Sequence, residues 1–199
     1  MTDQNAPQNT PQNTQRPVPA RPGPNAPSVR LAEILRVDHA GELAAVHIYR
    51  GQRAVLDRAP GQQRLAGQLR QMEDQEAQHL VAFDRLLTDH QVRPSLLTPL
   101  WRMAGYALGA GTALLSDKAA HACTEAVESV IEQHYAGQIA ELADREPQLA
   151  QTLAGFREEE LAHRDLALEE GAREAKGHTI LAAFIRAGCR AAIKISEKV

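Results

Sequence analysis

The chain has 199 residues and a formal net charge of −3, which allows one domain with a real core and gives no broad basic field to favour nucleic acid as a partner. Aromatic residues make up 4% while Ala, Leu, Glu, Gln and Arg abound, a composition of helix formers that argues against a strand-built fold. The two cysteines, Cys123 and Cys189, show neither metal-type spacing nor a disulfide framework, which fits small core residues in a reducing compartment.

Residues 1–28 hold seven of the eleven prolines, much Asn and Gln, and no aromatic side chain, the composition of a disordered tail. The tail has no apolar run of the secretory kind. The folded domain is therefore expected over 29–199. Helical spacing holds from about 29 to 57, where Pro60 and Gly61 then mark a turn, and again from about 62 to 90. A third helix is expected from Asp117, which is placed as its N-cap, to about 144. Pro147 suits the first position of a fourth, expected to end before Gly177, and a fifth covers 178–197. The connection over 91–116 is too long for a hairpin loop and has to cross over. Four helices of similar length imply an all-α four-helix bundle with a long apolar crossover and an additional C-terminal amphipathic helix.

The seams of these helices carry the unusual residues. Alternating steps of four and three on the second helix select Leu65, Leu69, Met72, Glu76, His79, Phe83 and Leu86. On the fourth they select Leu149, Leu153, Phe156, Glu160, His163 and Ala167. The first helix gives Leu31, Leu35, Asp38, Glu42, Ala45 and Tyr49, and the third Thr124, Glu128, Ile131, Tyr135 and Leu142. Each helix thus turns a carboxylate inward at its middle. The interval from Glu42 to Glu76 is 34 residues and that from Glu128 to Glu160 is 32, so the pattern of a Glu helix followed by a Glu-x-x-His helix occurs twice. Two hairpins facing each other about a pseudo-twofold axis would gather all six residues.

Four carboxylates and two imidazoles in an apolar interior repel and would be driven to protonate. Two divalent cations balance the four charges, and residues three apart on a helix aim at one site. The pattern resembles that of the ferritin-like di-iron and di-manganese carboxylate proteins, in which two helices give Glu and two give Glu-x-x-His. The residues leave iron and manganese both open. Asp38, Glu159 and Asp165 are candidates to support the ligands from outside, as are Tyr135 and His134 for a role beside the metals or the substrate.

Residues 96–115, "LLTPLWRMAGYALGAGTALL", contain Arg102 as the sole charge. A segment lying in the membrane interface, with Trp101 and Tyr106 at headgroup level, is preferred to a buried crossover or a true span, because Pro99 and three glycines weaken a spanning helix. In the last helix Arg186, Arg190, Lys194 and Lys198 recur every fourth residue beside Ile180, Leu181, Phe184 and Ile185, a basic amphipathic pattern suited to anionic lipid or to a plain docking helix.

The stretches "RVDHAGELAAVHIYRGQ" (36–52), "DQEAQHL" (74–80), "RPSLLTPLWRMAGYALGAGTALL" (93–115), "EAVESVIEQHY" (125–135), "FREEELAHRD" (156–165) and "AGCRAAIKISEKV" (187–199) closely resemble the demethoxyubiquinone hydroxylase family of ubiquinone biosynthesis. The resemblance spans everything after the tail. It implies a ferritin-like di-iron monooxygenase, peripheral on the cytoplasmic face of the inner (cell) membrane, that hydroxylates the ring of a polyprenyl demethoxyubiquinol with O2. Carried over position by position, the ligands of its two Fe ions fall on Glu42, Glu76, His79, Glu128, Glu160 and His163. Members often have Tyr after the first ligand, where this chain has Leu43. The resemblance implies NADH or the reduced quinol as electron source, although the chain has no Gly-rich dinucleotide fingerprint. Expected partners are the quinol, membrane-surface lipid, and a second copy of the chain or a ubiquinone-biosynthesis complex.

Overall fold

The computed structural model describes residues 28–198; the Pro-rich tail lies, apart from Ser28, outside the described residues. Six α-helices and no strand are found among them: α1 (Val29–Leu56), α2 (Gln63–Asp89), α3 (Thr98–Leu115), α4 (Asp117–Leu142), α5 (Pro147–Glu169) and α6 (His178–Ser196). Their starts follow local chemistry. Ser28 accepts a hydrogen bond from Leu31 N at 3.1 Å and caps α1. Ser116, not Asp117, caps α4, its hydroxyl accepting from Ala119 N at 3.0 Å. Pro147 begins α5, where its missing N–H leaves no bond unmade.

α5 stops at Glu169, short of the expected end near Gly177. Gly171 at φ 89° and Gly177 at φ 72° hold left-handed turns around a short 3-10 turn, Ala172–Glu174. That conformation is open to glycine and penalises a Cβ, so the chain breaks twice before α6 begins.

The crossover is the main correction to the sequence reading, because it is itself a helix, α3, and two of its three glycines are packing positions. Eighteen residues of helix reach about 27 Å and carry the chain back along the bundle from the end of α2 to the start of α4. Gly105 and Gly109 let α3 press directly on the backbone of α1. A Cβ built on Gly105 would lie 2.6 Å from the Ala44 carbonyl oxygen, and one on Gly109 2.0 Å from that of Ile48. Gly51 of α1 answers from the other side, where a Cβ would meet the Tyr106 oxygen at 2.2 Å.

α1 and α2 are antiparallel, as are α4 and α5, and two apolar clusters close the ends of the bundle. At one end Leu31, Ile34 and Leu35 meet Phe83, Leu87, Leu142, Leu149 and Leu153. At the other Tyr49, Leu56, Leu65, Leu69 and Met72 pack together. The polar residues of the seams lie in the layer between. α6 lies against α4, where Arg186 donates to buried Glu125 at 2.5 Å and His178 Nε2 stands 3.4 Å from the same carboxylate. Arg186 therefore anchors α6 inward, which leaves Arg190 and Lys194 exposed. Cys123 is buried and Cys189 half-buried, both free.

Candidate metal centre

The repeat delivers all six seam residues to one place. Glu42, Glu76, His79 and Glu160 form one group, and Glu76, Glu128, Glu160 and His163 a second; within each, one donor atom per residue lies within 4.8 Å of the others. Every one of the six is at least 97% buried. Glu76 and Glu160 belong to both groups. One oxygen of Glu160 lies 3.3 Å from His79 Nδ1 and the other 3.5 Å from His163 Nδ1. Glu76 divides likewise, at 3.8 and 3.1 Å.

Hydrogen bonds sort the four carboxylates into two kinds. Tyr135 on α4 donates to Glu42 Oε1 on α1, and Tyr49 on α1 donates to Glu128 Oε1 on α4 at 2.6 Å. Each of these carboxylates keeps one oxygen without a donor, while Glu76 and Glu160 keep both. Nδ1 of both histidines is also unpartnered. Buried lone pairs are rarely left so. The atoms could hold two divalent cations, one among Glu42, Glu76, His79 and Glu160 and one among Glu76, Glu128, Glu160 and His163.

Electrostatics agree. Burial pushes the Glu76 and Glu128 carboxyls well above the usual range, helped by the charge of Glu160, and burial also raises Glu42. Glu160 moves the other way, because the rings of His163 and His79 outweigh its burial. The His79 ring is opposed by burial yet raised to about 10 by Glu160 and Glu42. The metal-free cluster therefore holds protons where cations would hold charge. The sign follows for stability. A carboxyl raised in the fold contributes stability at low pH that is lost as pH climbs through its folded value. The chelator-treated protein is expected to melt at a lower temperature at pH 8 than at pH 5, and the metal-loaded protein to lose that dependence. Equal slopes for the two forms in calorimetry would contradict the assignment.

The residues around the cluster repeat the same symmetry. Gln75, just before Glu76, has its Oε1 3.0 Å from His163 Nε2, and Glu159, just before Glu160, stands 3.4 Å from His79 Nε2. Gln75 of α2 thus orients the imidazole of α5, Glu159 of α5 lies beside that of α2 without a hydrogen bond, and both rings turn Nδ1 to the carboxylates. Glu159, expected beside Glu160 and His163, stands instead at the His79 ring. Asp165 supports neither ring: it is exposed and pairs with Arg164 at 2.7 Å. Asp38 accepts from Gln138 at 2.8 Å and faces His134 at 3.4 Å, one layer away from the six. Sequence reasoning gave no role to Tyr49 or Gln75. The signal was present, since Tyr49 follows Glu42 by seven residues as Tyr135 follows Glu128, and Gln75 holds the place of Glu159 in the repeat.

An apolar cleft leads to this centre. Its outer part is lined by Ala44, Ile48, Val127, Ala192 and Ile193 with Trp101 at one side. Val37, Gly41, Ile131 and Ile193 continue into an inner pocket of about 30 Å³ that ends at Glu42, Tyr135, Asp38 and His134.

The fold and this cluster define a ferritin-like helical bundle whose donor set is that of the di-metal carboxylate proteins. The family model described as "Ubiquinone biosynthesis protein COQ7" matches residues 29–196, and the chain belongs to that family. A protein of Rhodospirillum rubrum named 3-demethoxyubiquinol 3-hydroxylase is 49% identical over 178 residues, covering 89% of this chain and 82% of that protein. The human protein named NADPH-dependent 3-demethoxyubiquinone 3-hydroxylase, mitochondrial, is 46% identical over 170 residues, with 83% and 76% covered. The Saccharomyces cerevisiae 5-demethoxyubiquinone hydroxylase, mitochondrial, is 40% identical over 190 residues, with 88% and 81% covered.

Proposed function

We propose that this protein is a di-iron monooxygenase that uses O2 to hydroxylate the ring of a polyprenyl demethoxyubiquinol, its relatives being named as demethoxyubiquinol or demethoxyubiquinone hydroxylases. The observation that carries the reading is the apolar cleft that ends against Glu42 and Tyr135. A polar ring on a long hydrocarbon tail suits the chemistry of such a cleft, the tail lying among the aliphatic side chains, and the inner pocket of about 30 Å³ has to widen as the ring reaches the cluster.

Glu42, Glu128, the bridging Glu76 and Glu160, and both histidines would hold the two irons, and iron there supplies the reduction of O2 that hydroxylation needs. One oxygen atom enters a ring C–H bond. The other leaves as water with two electrons from a reductant, which is a nicotinamide dinucleotide, as the human relative's name has it, or the quinol itself. Tyr135 fixes Glu42 and forms the inner wall of the cleft. The aliphatic lining keeps bulk water from the ring while it reacts. Purified iron-loaded protein given reduced demethoxyubiquinone under 18O2 is expected to place one labelled oxygen on the ring. A product labelled from water would overturn the reading.

The cleft opens between the two helices that bear the exposed apolar residues. No helix among the described residues is long and apolar enough to cross a membrane. Instead Leu100, Met103, Tyr106 and Leu114 stand out from α3, and Ile180, Phe184 and Ile195 from α6. With Arg190 and Lys194 beside them, these helices would seat the protein peripherally on an anionic membrane surface and place the cleft mouth against the lipid. Changing Ile180 and Phe184 together to Glu removes about 3 kcal/mol or more of apolar burial and is expected to lower vesicle partitioning about a hundredfold. Val81→Glu, on α2, is expected to change nothing. Equal partitioning of all three proteins in vesicle sedimentation would exclude this orientation.

A further inference from the structure

A second cleft reaches the cluster from the side opposite α3 and α6, and its chemistry is different. It lies between α2 and α5, has a volume of about 260 Å³, and sets Gln68, Gln71, Gln75, Glu158, Glu159 and His163 among the apolar Met72, Ala162 and Leu166. Glu158 is exposed, and no ion pair involving it is found among the described residues. Behind it Glu159 and Gln75 contact the two imidazoles. The floor is His163, 97% buried, whose Nδ1 has no hydrogen-bond partner and faces Glu76 and Glu160.

We propose that this cleft is the port through which divalent cations reach the centre, with Glu158 collecting them at the mouth and Gln75 and Glu159 passing them inward. The proposal rests on the di-metal reading of the six residues. A hydrated cation cannot shed its water among the aliphatic side chains of the quinone cleft without a large desolvation penalty. The α2–α5 cleft offers replacement oxygen ligands at each layer, in a graded series from amide and carboxylate to the imidazole itself. The amide of Gln75 is uncharged and hydrogen-bonded at one atom, so its rotation opens the route without leaving a buried charge behind. The two reactant classes thus enter from opposite faces, the lipid from the membrane side and the metal from the aqueous side.

The test is the rate of metal uptake by the full-length, chelator-stripped protein, followed by Co(II) absorption in stopped flow. Glu158→Lys reverses a charge at the mouth and is expected to slow uptake about tenfold, with Glu158→Gln between it and the wild type. Both variants should still take up the same final amount of Co(II) and melt at the wild-type temperature. Lys194→Glu, on the far face, should leave the rate unchanged. Unchanged rates for both Glu158 variants, or acceleration by Lys194→Glu alone, would overturn the port. A wild-type protein that never binds about two Co(II) per chain would instead overturn the di-metal reading beneath it.

Discussion

Glu160→Ala is expected to empty both metal sites at once, leaving less than about one iron per chain after iron-replete expression. Glu160 gives one oxygen to the His79 side and the other to the His163 side, so its loss removes a donor from each group. Hydroxylation should fall by more than about a thousandfold, about 4 kcal/mol of barrier. A strain dependent on this protein should accumulate demethoxyubiquinone. Glu128→Ala provides the contrast. Glu128 belongs to the second group alone, and its variant is expected to keep about one iron, held on the His79 side. Elemental analysis of the two proteins distinguishes carboxylates shared by two sites from six side chains that act independently. Two irons retained in Glu160→Ala, or restored ubiquinone, would end the assignment.

Gly109→Ala is expected to lower stability by about 3 kcal/mol. Its new Cβ would sit 2.0 Å from the Ile48 carbonyl oxygen, and a main-chain oxygen in a helix cannot turn away as a side chain can. α1 and α3 must move apart, which loosens packing along their whole contact. For a chain of this size the melting temperature should drop by about 6–12 °C. Gly111→Ala, in the same helix with nothing within 4 Å of its Cβ, should raise stability by about 0.5–1 kcal/mol through helix propensity. Calorimetry on the pair decides the matter. If both glycines behave alike, the close approach of α1 and α3 is not what the crossover depends on.

The different surroundings of these two glycines show where sequence reading runs out. Six ligand candidates were legible because a charged residue at a core position breaks a periodic pattern, and the pattern repeats at nearly equal spacing in both halves. The starts of α1, α4 and α5 were legible within a residue because Ser28, Ser116 and Pro147 act on their own neighbours, while the start of α3 at Thr98 was not. The end of α5 was not, because Gly171 acts through its backbone angle, which helical spacing does not encode.

An all-α bundle, the six inward-facing donors, the apolar character of the crossover and the amphipathic pattern of the last helix could all be read from the chain. Those follow from periodicity, which is a local property. The folded bundle alone reveals that Gly105 and Gly109 bind α3 to α1, that Tyr49 and Tyr135 reach across to each other's helix, and that a second cleft carrying Gln and Glu side chains lies between α2 and α5. Each of these depends on which surfaces approach within a few ångströms, and residues far apart in the chain settle that together. Asp165 looks like a support for His163 on the helix alone, yet in the folded bundle it turns outward to Arg164, and that imidazole is held from the facing helix by Gln75.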